Sequence, residues 1–172
     1  IRQAHFDEIV SDYNKAVAVA QEAIKLAIAG NDPYHEAVGY LRWGRSLSNL
    51  GEYVQARGHL DHALELARQH NFSQLEARSM FSLGTIHAML GDYVSAATYY
   101  VQALSIFREI GDRLYVGRAL NNLGAAAREL GDYNGARDYH EEHERICREI
   151  GDRRGEAFAL SNLGRVAAVK GQ

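Results

Sequence analysis

Glycine recurs every forty residues along this chain, at Gly44, Gly84, Gly124 and Gly164. A second glycine series follows seven residues behind, at Gly51, Gly91, Gly131 and Gly171, and Tyr13, Tyr53, Tyr93, Tyr133 and Ala16, Ala56, Ala96, Ala136 keep the same step. Self-similarity at a fixed period marks a chain built by stacking one supersecondary unit, each contacting its neighbours rather than a shared central core. An elongated scaffold follows, and an enzyme pocket is not what such a register builds.

Within one period the apolar spacing is helical. Tyr93, Ala96, Tyr100, Ala103 and Phe107 recur at steps of three and four, as do Met80, Leu83, His87 and Leu90 just upstream. Between them Gly91 can end one helix in the left-handed conformation, and the Asp92 carboxylate can cap the next. Gly111-Asp112 and Gly151-Asp152 repeat the device, and Asn31-Asp32-Pro33 is its variant, with Pro33 at the first helical position. The reading predicts a short helix over residues 2–10 and further helices beginning near Asp12, Asp32, Glu52, Ser73, Asp92, Asp112, Asp132 and Asp152. Gly44 with Ala56, Gly84 with Ala96 and Gly124 with Ala136 are predicted close approaches of helix backbones, and Tyr53, Tyr93 and Tyr133 fill the turns.

The segment Asn122-Leu123-Gly124, then Leu130-Gly131-Asp132-Tyr133 and Ala136, resembles a tetratricopeptide repeat, and Ser82-Leu83-Gly84, Leu90 to Tyr93, Ala96, Tyr100 and Ala103 repeat the frame. The forty-residue version is similar to the repeats of Pins/LGN-type polarity adaptors and to those of bacterial signal-transduction ATPases and regulators. The resemblance implies an all-α fold, an α-α superhelix (TPR solenoid) of about four repeats plus a terminal helix. Residues 1–172 then form a single domain with repeats at 1–31, 32–71, 72–111 and 112–151 and a partial one at 152–172. It further implies a concave groove, lined by the first helix of each unit, that receives a peptide or partner helix.

On that register the groove candidates are Arg42, Arg45, Arg78, Arg118, Asn121, Asn122, Arg128, Asn162 and Arg165, with Ser48, Phe81, Thr85, Ala125, Phe158 and Ser161 beside them. Six arginines against one acid, Glu129, is a local bias in a chain of net charge -3. Asn amides can clamp an extended backbone and Arg can select acidic side chains through paired N–H bonds. Arg118 and Asn122 match the Pins/LGN-like pattern, whereas Phe81, Thr85 and Phe158 stand where the chaperone-tail carboxylate clamp needs its own set.

Other residues carry weaker signals. His140 and His143 lie one turn apart and could share a metal with Glu144, but they align with the buried-stripe positions Tyr100 and Ala103, so packing between helices with Glu or backbone partners is the expectation. Cys147 aligns with Phe107 and Ala67 and reads as a buried thiol. A lone cysteine allows no internal disulfide, which suits a reducing, cytoplasmic setting. No cofactor or metal is expected, no apolar run spans a bilayer, and no phosphate-binding or nucleophile motif is present. Net charge gives no general attraction to polyanions.

The expected function is a non-catalytic protein-interaction module whose partner is a protein or peptide. The alternatives left open are the sensing portion of a larger signalling regulator and an RNA-binding helical repeat. The chain begins without Met and ends just after a turn signal, which predicts a piece of a longer protein. Asp7, at the step of Leu47, His87, Ala127 and Ala167, predicts an incomplete first unit. At the other end Leu160 and Leu163 are expected to face the preceding repeat and Phe158 and Val169 to stay exposed, leaving terminal surfaces open to self-association.

Overall fold

The computed structural model describes residues 2–169, with side chains from residue 10 onward. Eight α-helices are present among the described residues: α1 (Arg2–Ala29), α2 (Pro33–Asn49), α3 (Tyr53–Gln69), α4 (Ser73–Met89), α5 (Tyr93–Glu109), α6 (Arg113–Glu129), α7 (Tyr133–Ile150) and α8 (Arg153–Val169). The fold is all-α, with helices packed in sequence as antiparallel pairs, as the glycine register predicts.

The turns explain why the helices start and stop where they do. Gly51, Gly91, Gly111, Gly131 and Gly151 have φ between 73° and 84°, and Asn31 and Asn71 take φ of 51° and 57°. These left-handed residues stand twenty positions apart, so the structural step is half the sequence period. Only Gly, and more rarely Asn, adopts this conformation at little cost. The N–H of the next residue then reaches back to a carbonyl in the last turn of the finished helix: Asp32 to Ala27, Glu52 to Leu47, Phe72 to Ala67, Asp92 to His87, Asp112 to Phe107, Asp132 to Ala127 and Asp152 to Cys147, at 2.8–2.9 Å. Five of these residues also open the following helix with their carboxylates, which accept from the N–H of His35, Ser95, Tyr115, Gly135 and Gly155. Glu52 makes no such side-chain bond.

One expected turn does not form. Residues 2–29 are a single helix, without a break before Asp12. The left-handed step falls here on Ser11, which lacks the freedom of Gly or Asn, so the chain runs on in helical geometry. The side chain of Asp7 lies outside the described residues.

The chain divides after Ile86 into two compact units. In the first, α1 packs on α2 and α2 on α3. A Cβ on Gly44 would come within 2.7 Å of Leu60 Cγ and 2.9 Å of the Ala56 carbonyl, and one on Gly39 within 2.5 Å of Ile24 Cγ1. These glycines are therefore close approaches, as the pairing of Gly44 with Ala56 predicts. Beside them Trp43 stacks on His59 at 3.8 Å between ring centroids, with Tyr40 edge-on to His62.

In the second unit α5, α6, α7 and α8 pack in order, and α6 also touches α8. Tyr100, Phe107, Leu120, Leu123, Ile146 and His140 are fully buried, and Phe107 meets Tyr115 at 4.9 Å. At Gly124 the nearest atoms to an added Cβ are those of the His140 ring, at 2.6–2.8 Å. Leu160 departs from its expected place: it is 54% exposed, as is Phe158, and Val169 is 57% exposed. Leu160 holds the step of Leu120, which is buried, but no described helix follows α8 to cover it. Gly164 has no neighbour within 4 Å for the same reason.

Because nothing lies within 4 Å of a Cβ on Gly131, its replacement tests the backbone alone. Gly131→Ala should lower unfolding free energy by about 1–2 kcal/mol and Asp132→Ala by about 1 kcal/mol. Asn71→Gly should be nearly neutral. Chemical denaturation of the three variants measures all of this.

Candidate functional site

The first helix of each repeat, α2, α4, α6 or α8, carries the predicted interaction residues. Their spacing of three and four keeps them on one stripe, while Leu41, Leu47, Leu120 and Leu123 face inward. In the first unit Arg42 and Arg45 are exposed and Arg78 is half-buried. Arg42 and Arg45 have no ion pair among the described residues, and with Lys15 of α1 they line one cleft. In the second unit the remaining predicted residues gather on adjacent helices. Arg118 is exposed and lies over the Tyr115 ring, 5.0 Å from its centroid. Asn162 Nδ2 donates to Asn121 Oδ1 at 3.0 Å, and Asn121 Nδ2 to Asn122 Oδ1 at 3.4 Å. This amide chain ties α8 to α6. Arg128 pairs with the neighbouring Glu129 at 2.6 Å, and Arg165 is exposed without an acidic partner among the described residues.

Most arginines elsewhere behave differently. Arg68 pairs with Glu76, Arg108 with Glu142, Arg113 with Glu149, Arg145 with Glu142 and Glu149, and Arg148 with Glu144 and Glu156. Such exposed pairs stabilise weakly. They do, however, occupy the guanidinium forks, whereas Arg42, Arg45, Arg118 and Arg165 make no ion pair among the described residues.

Directly beneath the second group sits His140. It is wholly buried, and neither ring nitrogen has a hydrogen-bond partner, against the expectation of a Glu or backbone contact. The ring lies against Gly124, whose missing side chain makes room for it: a Cβ there would lie 2.6–2.8 Å from three imidazole atoms. Burial, then the charges of His143, Arg128 and Arg165, push the His140 pKa down from 6.5 to about 4. His143 lies over Gly117, and burial lowers its pKa as well, against a raising effect of Asp152. Both imidazoles are therefore neutral packing groups. No cluster of three metal-ligating side chains occurs among the described residues. Cys147 is buried, with its thiol pKa raised by burial and by Asp152 and Glu156, so it is a poor nucleophile.

With this geometry in place, comparison with known proteins is direct. A tetratricopeptide repeat family model matches residues 35–109 and 115–171. The chain belongs to the tetratricopeptide repeat family. No curated protein sequence matches it. Among solved structures it is similar to BtubC from P. vanneervenii (22% identity, TM-score 0.84, 93% of this chain and 67% of that one). A Rap protein complexed with competence and sporulation factor is also similar (19%, TM-score 0.81, 94% and 48%). So is a Signal Transduction ATPase with Numerous Domains carrying a tetratricopeptide repeat sensor, from Pyrococcus horikoshii (21%, TM-score 0.82, 93% and 25%). This chain thus spans about half of the Rap protein and a quarter of the ATPase. At these identities the likeness is one of fold. Tetratricopeptide modules typically serve protein–protein interaction and are typically non-catalytic. None of the described helices is long and apolar enough to cross a membrane.

Sequence reasoning missed the part that α1 plays. Lys15, Val19 and Ala23 line the cleft with Arg42 and Arg45.

The His140 shift fixes a pH dependence. The folded imidazole resists protonation while the unfolded one accepts a proton near pH 6.5, so the unfolded state binds more protons between pH 6.5 and about 4. Stability is therefore full above 6.5 and falls as pH drops through that window, by on the order of 3 kcal/mol. Leu60 fills the equivalent space against Gly44 in the first unit. His140→Leu should accordingly flatten the slope and raise stability at neutral pH by about 1 kcal/mol, measured by denaturation at pH 7.5, 5.5 and 4.5.

Proposed function

We propose that this chain is a non-catalytic interaction module that binds an acidic peptide or helix on the face carried by the first helix of each repeat, with Arg42, Arg45, Arg78, Arg118, Asn121, Asn122, Arg128, Asn162 and Arg165 as the contact set. The observation that carries this reading is the division among the arginines. Arg42, Arg45, Arg118 and Arg165 have no carboxylate partner among the described residues, while most arginines elsewhere are paired. An unpaired guanidinium need break no existing bond to take a ligand carboxylate, so the new charge-assisted pair contributes its full net value. Half-buried Asn122 and Asn162 add donors for a peptide backbone. Cys147 as a buried reduced thiol suits a cytoplasmic setting.

A second reading, the sensing portion of a larger regulator, is favoured by the structural neighbours. One is a Rap protein in complex with a factor, and another is an ATPase whose repeats are described as a sensor. The same face serves both readings. RNA binding finds less support, because the candidate face has few aromatic side chains on which bases could stack.

Selection from a random peptide library displayed on phage should enrich Asp- and Glu-containing sequences. Their affinity should fall about tenfold or more on Arg118→Ala or Arg165→Ala, as expected for a lost bond to a charged group. Enrichment without acidic residues, or binding indifferent to both substitutions, sinks the proposal. Single-stranded RNA should bind without the steep salt dependence of a phosphate-reading surface.

A further inference from the structure

At the forty-residue step of His140 and His143 the earlier helices carry Leu60 and Ala63 on α3 and Tyr100 and Ala103 on α5, all of them buried. The α6–α7 seam alone, among these, replaces side chains uncharged near neutral pH with two rings that can take up protons. His59 and His62 of α3 differ, because both are half-exposed, with His59 stacked on Trp43, so water can reach a charged ring. Geometry decides what a proton does in the α6–α7 seam. Both nitrogens of His140 and Nδ1 of His143 are buried without a hydrogen-bond partner. A protonated imidazole has two N–H donors, so protonation brings a charge and unmet donors into a dry contact. The His140 ring lies so close to the Gly124 backbone that no water fits between it and α6. The charged and titratable groups acting on His140 are Arg128 of α6, His143 of α7 and Arg165 of α8, with no carboxylate among them. His143 meets Gly117 on α6, and Asp152 in the link to α8 favours its charged form. A charge on His140 is therefore relieved only when α6 and α7 part.

We propose that the α6–α7 seam is an acid-operated joint: protons taken up by His140 and His143 part the two helices and dismantle the interaction face of the second unit. That face is built on α6, which carries Arg118, Asn121 and Asn122 and holds α8 through the bond from Asn162 to Asn121. Helices that pack on their sequence neighbours can open at one seam while other hairpins stay closed. The control of binding rests on the function proposed above, whereas the joint itself does not.

Hydrogen–deuterium exchange of the intact chain, expressed as protection factors, tests the joint without a ligand. With a His140 pKa of about 4 in the closed seam against 6.5 for the released ring, the open population rises about thirtyfold from pH 7.5 to pH 5 through this ring alone. The slowest amides of α6 and α7 should lose protection by at least about that factor, while those of α2 and α3 change by less than about threefold. Combining His140→Leu with His143→Ala, the pair that α3 carries at this step, should remove the loss. In the unmodified chain, NMR should show the His140 ring neutral wherever α6 stays protected. Protection that does not change with pH, an equal loss in α2 and α3, or a loss that persists in the double variant overturns the joint. So does a His140 ring that takes up its proton near pH 6.5 with α6 still protected. Control of binding is read separately: a saturating library-selected acidic peptide should move the opening to lower pH, and Arg118→Ala should cancel that shift while the free chain still opens. An opening that the peptide leaves in place overturns the control. Failure to select any acidic peptide sinks the binding reading, and the exchange data still decide the joint.

Discussion

One backbone hydrogen bond, made again at every turn, sets the geometry on which everything else in this protein rests. The N–H of the residue that follows each left-handed position closes the helix behind it, and the carbonyl of that same residue opens the helix ahead, as when Asp132 donates to Ala127 and accepts from Ala136. A single residue thus satisfies groups at the end of one helix and the start of the next, which otherwise would need water or separate caps. The accepting carbonyls belong mainly to buried residues, Ala27, Leu47, Ala67, Phe107, Ala127 and Cys147. Each turn is therefore anchored to the packed interior and not merely bent over it, and the direction in which the next helix leaves is fixed by the interior it caps.

That regularity is why most of the architecture was legible before any coordinates. Gly91-Asp92, Gly111-Asp112 and Gly131-Asp132 name their own conformations, because the first residue supplies a positive φ and the second a carboxylate. The failures have equally local causes. Ser11 sits at the turn step beside a capping candidate, Asp12, but a cap cannot stop a helix unless the residue before it can leave the helical region. Leu160 was placed inward by its period, and the period was right; what the pattern could not supply was a neighbouring helix to make that side interior. His140 looked like a residue in need of polar partners, and only the exact fit of its ring to the bare Gly124 backbone shows that shape alone holds it.

The candidate face was legible in kind but not in its wiring. Counting arginines on one stripe could not tell Arg128, held by its neighbour Glu129, from Arg165, which has no such acid. Nor could it show that Asn162 reaches Asn121 instead of its own register mate Asn122. Side-chain choices of this sort depend on sub-ångström geometry between helices, where a polar group takes the nearest competent partner. Arg145 and Arg148, in contrast, sit among glutamates three and four residues away, a spacing that makes pairing predictable from sequence, while Arg68, Arg108 and Arg113 reach Glu76, Glu142 and Glu149 on a neighbouring helix. Arg68, Arg108, Arg145 and Arg148 are thus compensated by nearby acids, whereas Arg42, Arg45, Arg118 and Arg165 make no ion pair among the described residues.

The uniform helix length has a consequence for how such a chain can change. Helices α2 to α6 are each seventeen residues long and are joined by three-residue links. Adding one residue inside a helix would rotate every later side chain in it by about 100°, turning glycines that admit a neighbouring ring toward solvent and pushing bulk into the seam. Growth or loss by ones and twos is thus penalised throughout, whereas adding a whole hairpin leaves every existing contact in phase. The chain is quantised: its tolerated changes in length come in steps of forty residues, and variation between those steps is confined to side chains.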